Sequence, residues 1–449
     1  MYSTDQDYNQ DSRAIVWKVN MYINGEASGP VTVTRSDFLI DASVLEEASA
    51  SSDSLIGNIT ANELSLTLLN EDRLFTPTNA QSKYYGRMVK GVKIEVFCTP
   101  LLMSDEDIET LDEEAWDPLG VFYVSEWTAA VNSLTASITA YDSIERVINE
   151  NAPQLPIAYN VLHTDFIKQI LNSVMYDVIV DNCSDKPINF AYVGDNMKDT
   201  LNDICAASLY NLFCNHTGDI VYSNLMKQRL LRAVLTDENQ IISVDAESTI
   251  NATYDGVSVS YKNTQVSNVI ELLSLKDAQA PVGVSQLAEA TLSSQPMVAV
   301  SHALVTGDDH VHVSGVKATL RTAALSLTNV TENNKKVSVS LFGRVLESSE
   351  STTGISGADP ISVSSPYIQS AEQANGIVDK LSRFTKGTMP CITAVIRGNA
   401  KLQIGDKIRL SSTQYSLDYT GIIIRQEYKY TGSMTCTITL VSAAILGGD

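Results

Sequence analysis

Stretches of apolar and polar alternation recur along the chain, and a period of two sends successive side chains to opposite faces of a strand. The densest run lies between Ile59 and Ile144. There, Glu63-Leu-Ser-Leu-Thr-Leu-Leu69 puts Leu64, Leu66 and Leu68 on one face, and Gly91-Val-Lys-Ile-Glu-Val-Phe97 repeats the pattern. Gly120-Val-Phe-Tyr-Val-Ser-Glu-Trp127 and Ser133-Leu-Thr-Ala-Ser-Ile-Thr-Ala140 follow across a short polar connection suited to an antiparallel hairpin. Together these segments predict a β-barrel.

The same order returns about three hundred residues later as Gly405-Asp-Lys-Ile-Arg-Leu410, Gly421-Ile-Ile-Ile-Arg-Gln-Glu-Tyr428 and Ser433-Met-Thr-Cys-Thr-Ile-Thr-Leu440. Gly120 to Ser133 is 13 positions and Gly421 to Ser433 is 12, whereas Gly91 to Gly120 is 29 and Gly405 to Gly421 only 16. The first copy therefore carries an insertion, assigned to residues 105–117. That stretch reads as an acidic loop of Asp105, Glu106, Asp107, Glu109, Asp112, Glu113, Glu114 and Asp117. Gly91, Gly120, Gly405 and Gly421 are read as structural residues at the turns that open barrel strands. A repeat at this separation predicts two related barrels rather than a solenoid, whose period is about 20 to 50 residues.

Between the copies the period changes. Thr164 to Val174 and Asn196 to Leu209 carry apolar residues at helical spacing, and Asn211 to Tyr222 reads as a hairpin turning at Thr217-Gly-Asp. Residues 283–362 alternate Ser, Thr and Val, as in Lys336-Val-Ser-Val-Ser-Leu341, and Pro366 is expected to open a helix through Phe384, stopped by Gly387 and Pro390. The expected division is a polar N-terminal arm (1–12), a first barrel (13–150), a small α+β domain (151–245), a second barrel (246–282 and 363–449) and an inserted all-β module (283–362). The expected fold class is mainly β with a small α+β part.

A chain of 449 residues suits about three domains. Its formal charge of −22 argues against any role based on neutralising phosphates. Six cysteines without a Cys-x-x-Cys pair read as buried reduced thiols of a protein assembled in a cytosol. No apolar run is long enough for a membrane-spanning helix, and no secretory signal is visible.

Candidate chemistry is sparse. Asp308, His310 and His312 form the best metal candidate, since the two histidines would share a strand face, but the group follows Gly307 and reads equally well as a polar turn. Paired carboxylates in a loop lack the fixed flanking geometry of a glycosidase, and Asp105–Asp117 lacks the ligand spacing of a calcium loop. His163 and His216 read as helix-cap and turn residues. No nucleophile elbow, zinc-protease or phosphate-loop motif occurs, so no enzyme and no cofactor are expected.

In their order, Asn62-Glu-Leu-Ser-Leu-Thr-Leu-Leu-Asn70, Tyr84-Tyr-Gly-Arg-Met-Val-Lys-Gly-Val-Lys-Ile94, Gly120-Val-Phe-Tyr-Val124, Gly194 to Ala207, Val266-Ser-Asn-Val-Ile270 and Leu402-Gln-Ile-Gly-Asp-Lys-Ile408 resemble the tail hub proteins of tailed bacteriophages. The resemblance implies two tube-type barrels per subunit and a homotrimeric ring that adapts a sixfold tail tube to a threefold tip. It implies as partners the tail tube or distal tail protein, the tape measure protein, and a spike, fibre or lysin on a separate chain, because this one ends soon after its second barrel. It also implies virion localisation at the tail tip or baseplate after assembly in the host cytoplasm, and an acidic channel through which DNA passes without sticking. The acidic insertion and residues 283–362 depart from the family pattern. The alternatives are a tail-tip receptor- or carbohydrate-binding protein using the inserted module, and a hydrolytic or calcium-dependent enzyme using the acidic loop.

Overall fold

The computed structural model describes residues 8, 14–35, 37–48, 56–101, 113–130, 133–181, 183, 187–227, 229–245, 254–287, 290–292, 295–385 and 391–443. The expected arm other than Tyr8, the acidic residues Asp105, Glu106, Asp107, Glu109 and Asp112, and the helix stops Gly387 and Pro390 lie outside them.

The first unit consists of β1 (Ala14–Met21), β2 (Val31–Thr34), β3 (Leu39–Glu47), β4 (Glu63–Leu69), β5 (Lys93–Leu101), β6 (Asp117–Thr128) and β7 (Thr135–Tyr141), closed by helix α1 (Ser143–Ile148). Alternation decides its faces: β4 buries Leu64, Leu66 and Leu68 and leaves Glu63, Ser65 and Thr67 half-buried. The α+β part follows with β8 (Ala158–Leu162), α2 (His163–Ser173), β9 (Val178–Asp181), β10 (Pro187–Ala191), α3 (Met197–Ser208), β11 (Asn211–Cys214) and β12 (Ile220–Ser223). α3 buries Met197, Leu201, Ile204 and Cys205 on one side, and Asn196 caps it by accepting from the Asp199 N–H at 2.7 Å.

β13 (Leu231–Thr236) and β14 (Ile241–Asp245) come next, then β15 (Gly256–Val266), β16 (Ile270–Ala280), β17 (Gly283–Gln286), β18 (Ala290–Thr291), β19 (Met297–Thr306), β20 (Val311–Ala318), β21 (Thr322–Asn329), β22 (Lys335–Ile355) and β23 (Pro360–Ser364). Helix α4 (Ala371–Leu381) leads into β24 (Cys391–Arg397), β25 (Lys407–Ser412), β26 (Leu417–Tyr430) and β27 (Met434–Ser442). The molecule is mainly β, as the alternation predicts.

The repeat is present in the strand order. β4-β7-β6-β5 in the first unit matches β24-β27-β26-β25 in the second, and β3 flanks β4 as β14 flanks β24, antiparallel in both cases. Irregularities repeat too. The register shifts between Val124 and Glu126 in β6 and between Ile423 and Arg425 in β26, and again between Leu39 and Asp41 in β3 and between Ile241 and Ser243 in β14. Gly91 at φ +86° donates its N–H to the Val124 carbonyl at 2.7 Å, and Gly405 at φ +88° donates to Ile423 at 2.8 Å. One flank differs, for β1 runs antiparallel to β5 while β13 runs parallel to β25.

The two units are fused. β26 pairs with β3 from Arg425↔Glu47 to Tyr430↔Ala42, giving one 13-stranded sheet with a core common to both units, in which Trp17 stacks on Tyr430 at 5.5 Å.

Five expectations are revised by the structure. β15 and β16, expected to start the second barrel, pair with the long β22 of the inserted module, whereas β13 and β14, expected in the α+β domain, join the second unit. Alternation reports which face a residue occupies and not which strand lies beside it. The helix expected from Pro366 begins at Ala371, because the Ser370 hydroxyl accepts from the Gln373 N–H and fixes the start there. Gly120 and Gly421 lie inside β6 and β26 rather than at turns. Asp117, expected in the acidic loop, is the first residue of β6.

The hydrogen bonds to Val124 and Ile423 make those residues equivalent, so Phe122 corresponds to Gly421 and Gly120 to Tyr419. The glycines are thus displaced by two residues, and ring and glycine have exchanged places. A Cβ on Gly120 would lie 2.4 Å from the Phe122 ring, and one on Gly421 2.8 Å from the Tyr419 ring. Gly120 also sits at φ +145°. Gly120→Ala is expected to cost about 2–4 kcal/mol, combining backbone strain with overpacking, whereas Gly25→Ala, at φ +84° in open space, costs about 1 kcal/mol. Urea unfolding of both variants checks this, and equal losses would exclude crowding by the ring.

Candidate functional site

Period-two reading places two polar residues on core-facing positions. Glu46 follows Ala42 and Val44 on the buried face of β3, and Gln426 precedes Tyr428 and Tyr430 on the buried face of β26. Opposite them the β11–β12 turn supplies His216, with only 1% of its surface exposed. Three parts of the chain meet here: the first unit, the second unit and the α+β part.

His216 Nδ1 lies 3.0 Å from the Ala400 carbonyl and Nε2 lies 2.9 Å from Glu46 Oε2. A carbonyl only accepts, so Nδ1 carries a proton, and a second proton is shared between Nε2 and the carboxylate. The Gln426 Nε2 amide donates to the same carboxylate and to the Leu402 carbonyl at 3.1 Å, while the Tyr428 hydroxyl donates to the Asn399 and Leu402 carbonyls at 3.1 and 3.0 Å. Burial works against the imidazolium, but Glu46 and the Ala400 carbonyl outweigh it and His216 is raised above 6.5. Asp406 beside it is raised by burial against the Gln403 N–H and the charges of Arg232 and Arg229. Glu46, His216 and Gln426 are all buried from solvent. They form a polar lock on the junction, and its sequence signal was a carboxylate and an amide on the apolar faces of alternating strands.

The residues singled out from sequence are not brought together there. Asp308 accepts from the His310 N–H at 2.9 Å and pairs with Lys335 at 2.7 Å, which holds its carboxyl at about 2, while His310 and His312 are exposed. Among the described residues no group of three or more His, Cys, Asp or Glu could hold a metal ion. Glu113 and Glu114 are exposed on a 3-10 turn leading into β6. Asp117 is buried, where it accepts from the Tyr8 hydroxyl at 2.7 Å and pairs with Lys401 of the second unit. Tyr8, expected in a polar arm, is fully buried, and its carbonyl accepts from Gln240 at 3.1 Å. All six cysteines are free, with Cys98, Cys205, Cys214 and Cys436 buried.

A second buried acid, Asp142, caps α1 by accepting from the Ile144 and Asn62 N–H groups, both at 2.8 Å, yet burial pushes it up to about 7. It borders a cleft of about 460 Å³ whose rim includes Lys90, Arg146, Glu145 and Glu150. Both oxygens are engaged by backbone, so this carboxylate is a cap and not a poised base.

Glu46→Ala is expected to cost about 3–5 kcal/mol, because it strands a buried imidazolium. Both titrations make stability fall as pH rises. Asp142 contributes between its unfolded value of 3.8 and about 7, whereas the His216 contribution is full below 6.5 and lost through its higher folded value. Urea midpoints from pH 4 to 9 test this, and the part of the fall that continues beyond the Asp142 range, above about 7, should vanish in His216→Gln.

No family model and no curated protein matches the chain. Among solved structures, the tail protein from Neisseria meningitidis superposes on 96% of this chain and 98% of its own with a TM-score of 0.52 at 8% identity. The 43 kDa tail protein of prophage MuSo2 from Shewanella oneidensis covers 96% and 99% with a TM-score of 0.49 at 10% identity, and a prophage tail protein from Listeria monocytogenes covers 94% and 94% with a TM-score of 0.41 at 10% identity. Over nearly its whole length, the chain has the fold of the Neisseria tail protein.

Proposed function

We propose that the chain is a structural, non-enzymatic hub protein of a phage tail or phage-tail-like particle. In this reading three copies form a ring at the tail tip that adapts a sixfold tube to a threefold tip and lines the channel for DNA. The observation that carries it is the doubled unit, since two units that share a four-strand order, fused in each chain, supply six quasi-equivalent positions from three chains. The fold shared with a tail protein supports the same reading.

The partners follow from position: the tail tube or distal tail protein and the tape measure protein on one side, and a spike, fibre or lysin chain on the other. DNA is cargo rather than ligand, for a formal charge of −22 repels phosphates from the channel wall. No helix among the described residues is long and apolar enough to cross a membrane. The proposed location is the virion tail tip or baseplate, after assembly in the host cytoplasm.

Light scattering of the purified protein, alone and mixed with neighbouring tail proteins, is expected to give three times the chain mass of 48.8 kDa, with ring-shaped class averages in negative stain. A mass that stays at one chain under all these conditions overturns the reading.

A further inference from the structure

The inserted module has one phenyl ring, and the fold puts it on the outside. Residues 283–362 contain no Tyr or Trp and a single Phe, Phe342. Over residues 335–346, β22 is the central strand of three, with β16 on one side and β19 on the other. Alternation sends its Val337, Val339 and Leu341 into the module's core and Ser338, Ser340 and Phe342 to the opposite face. The side chain with the most apolar surface to bury is thus left out of the core.

Pairing register brings a second ring to it. His302 of β19 lies directly across from Phe342, and residues so paired share a face. The rings stack with centroids 4.8 Å apart and planes 9° from parallel, and His302 is exposed. Ser301, at a register shift between Val300 and His302, sets its hydroxyl 3.2 Å from His302 Nδ1 and so orients the imidazole. Among the described residues β19 pairs with β22 alone, so no further strand stands beside this ring.

The surround is polar and short-chained. Glu271 of β16 lies across from Phe342 on its other side, and Arg344 is two residues along β22 on the same face; both are exposed. The next row is Ser274, Ser340 and Leu304.

This composition selects a ligand. A protein partner needs several large apolar anchors in one desolvated patch, whereas the apolar area here is two rings and one leucine. An extended peptide adds to the edge of a sheet and not to its face. A pyranose fits both parts of the surface. Its C–H face stacks on an aromatic ring of similar size, and its hydroxyls meet a carboxylate that accepts from two of them and a guanidinium that donates through a planar fork. Glu271 and Arg344 balance each other, and the chain's formal charge of −22 works against phosphate- or carboxylate-bearing polymers.

We propose that the outward face of β16, β22 and β19 binds neutral glycans, with the His302–Phe342 pair as the stacking platform and Glu271 and Arg344 as the hydroxyl-binding groups. The site adds a binding function to the structural one, and it stands whether or not three copies form a ring.

The test is an array of neutral oligosaccharides of glucose, galactose, rhamnose and N-acetylhexosamines, printed beside sialylated, uronate-containing and phosphorylated ones and probed with the full chain. Binding to neutral members is expected, with the affinity for the strongest of them measured by titration calorimetry. Phe342→Ala and His302→Ala should each lower that affinity by at least about tenfold. Glu271→Gln and Arg344→Ala, at exposed positions, should lower it about threefold or more with the urea midpoint unchanged, which separates lost binding from lost folding. His312→Ala, exposed on β20, should leave it as it is. Binding confined to anionic members, binding that survives both ring replacements, or no binding to any member would overturn the proposal. A tail protein that binds through the same rings while no sugar does would overturn it in favour of a protein partner.

Discussion

Everything in this molecule depends on one strand changing its neighbour. β26 is 14 residues long and must satisfy two partners on one edge, β25 along its first half and β3 along its second. The first pairing ends at Ile422 and the second begins at Arg425. The extra residue at Ile424 lets the ladder stop and restart. From that single irregularity follow the common core, the stacking of Trp17 on Tyr430, and the enclosed meeting point of three parts of the chain.

That meeting point explains why polar groups are tolerated in a core otherwise lined by Leu, Ile and Val. A buried His–Glu pair contributes little net stability over apolar packing, yet it is expensive to break and exact in direction. His216 contacts the first unit through Glu46 and the second through Ala400, with Gln426 closing the triangle. Misplacement of the α+β part by a fraction of an ångström would leave a charge unpaired. The pair therefore fixes orientation where apolar side chains would permit sliding.

The repeat was legible in sequence because its cause is local: alternation selects faces, and Gly91 and Gly405 are required wherever the chain turns with positive φ. Its details were less so. Gly120 and Gly421 align by eye yet are displaced by two residues, since each makes room for an aromatic ring on the opposite side of the other. The affiliation of β13, β14, β15 and β16 was misread because strand neighbours are chosen by pairing over long separations that no window of sequence contains. Asp117 was placed in a loop on the strength of its acidic company, when Tyr8 and Lys401 hold it at the head of a strand. The polar lock was within reach, as Glu46 occupies a position that alternation assigns to the interior.

Among the described residues, the inserted module adds nothing to the shared core. Its strands bury a separate cluster around Leu325, Leu327, Val339 and Leu341. Against that background, the edge of β6 from Glu126 to Thr128, which no strand among the described residues covers on the β5 side, takes on a different meaning in dilute solution. An exposed ladder edge recruits any extended peptide, including the wrong one, and a nascent chain displaying Leu134 and Ile242 is a nucleus for disordered clumping. Here the surplus of carboxylates has a use unconnected with any cargo: mutual repulsion among chains of the same sign keeps chance encounters brief.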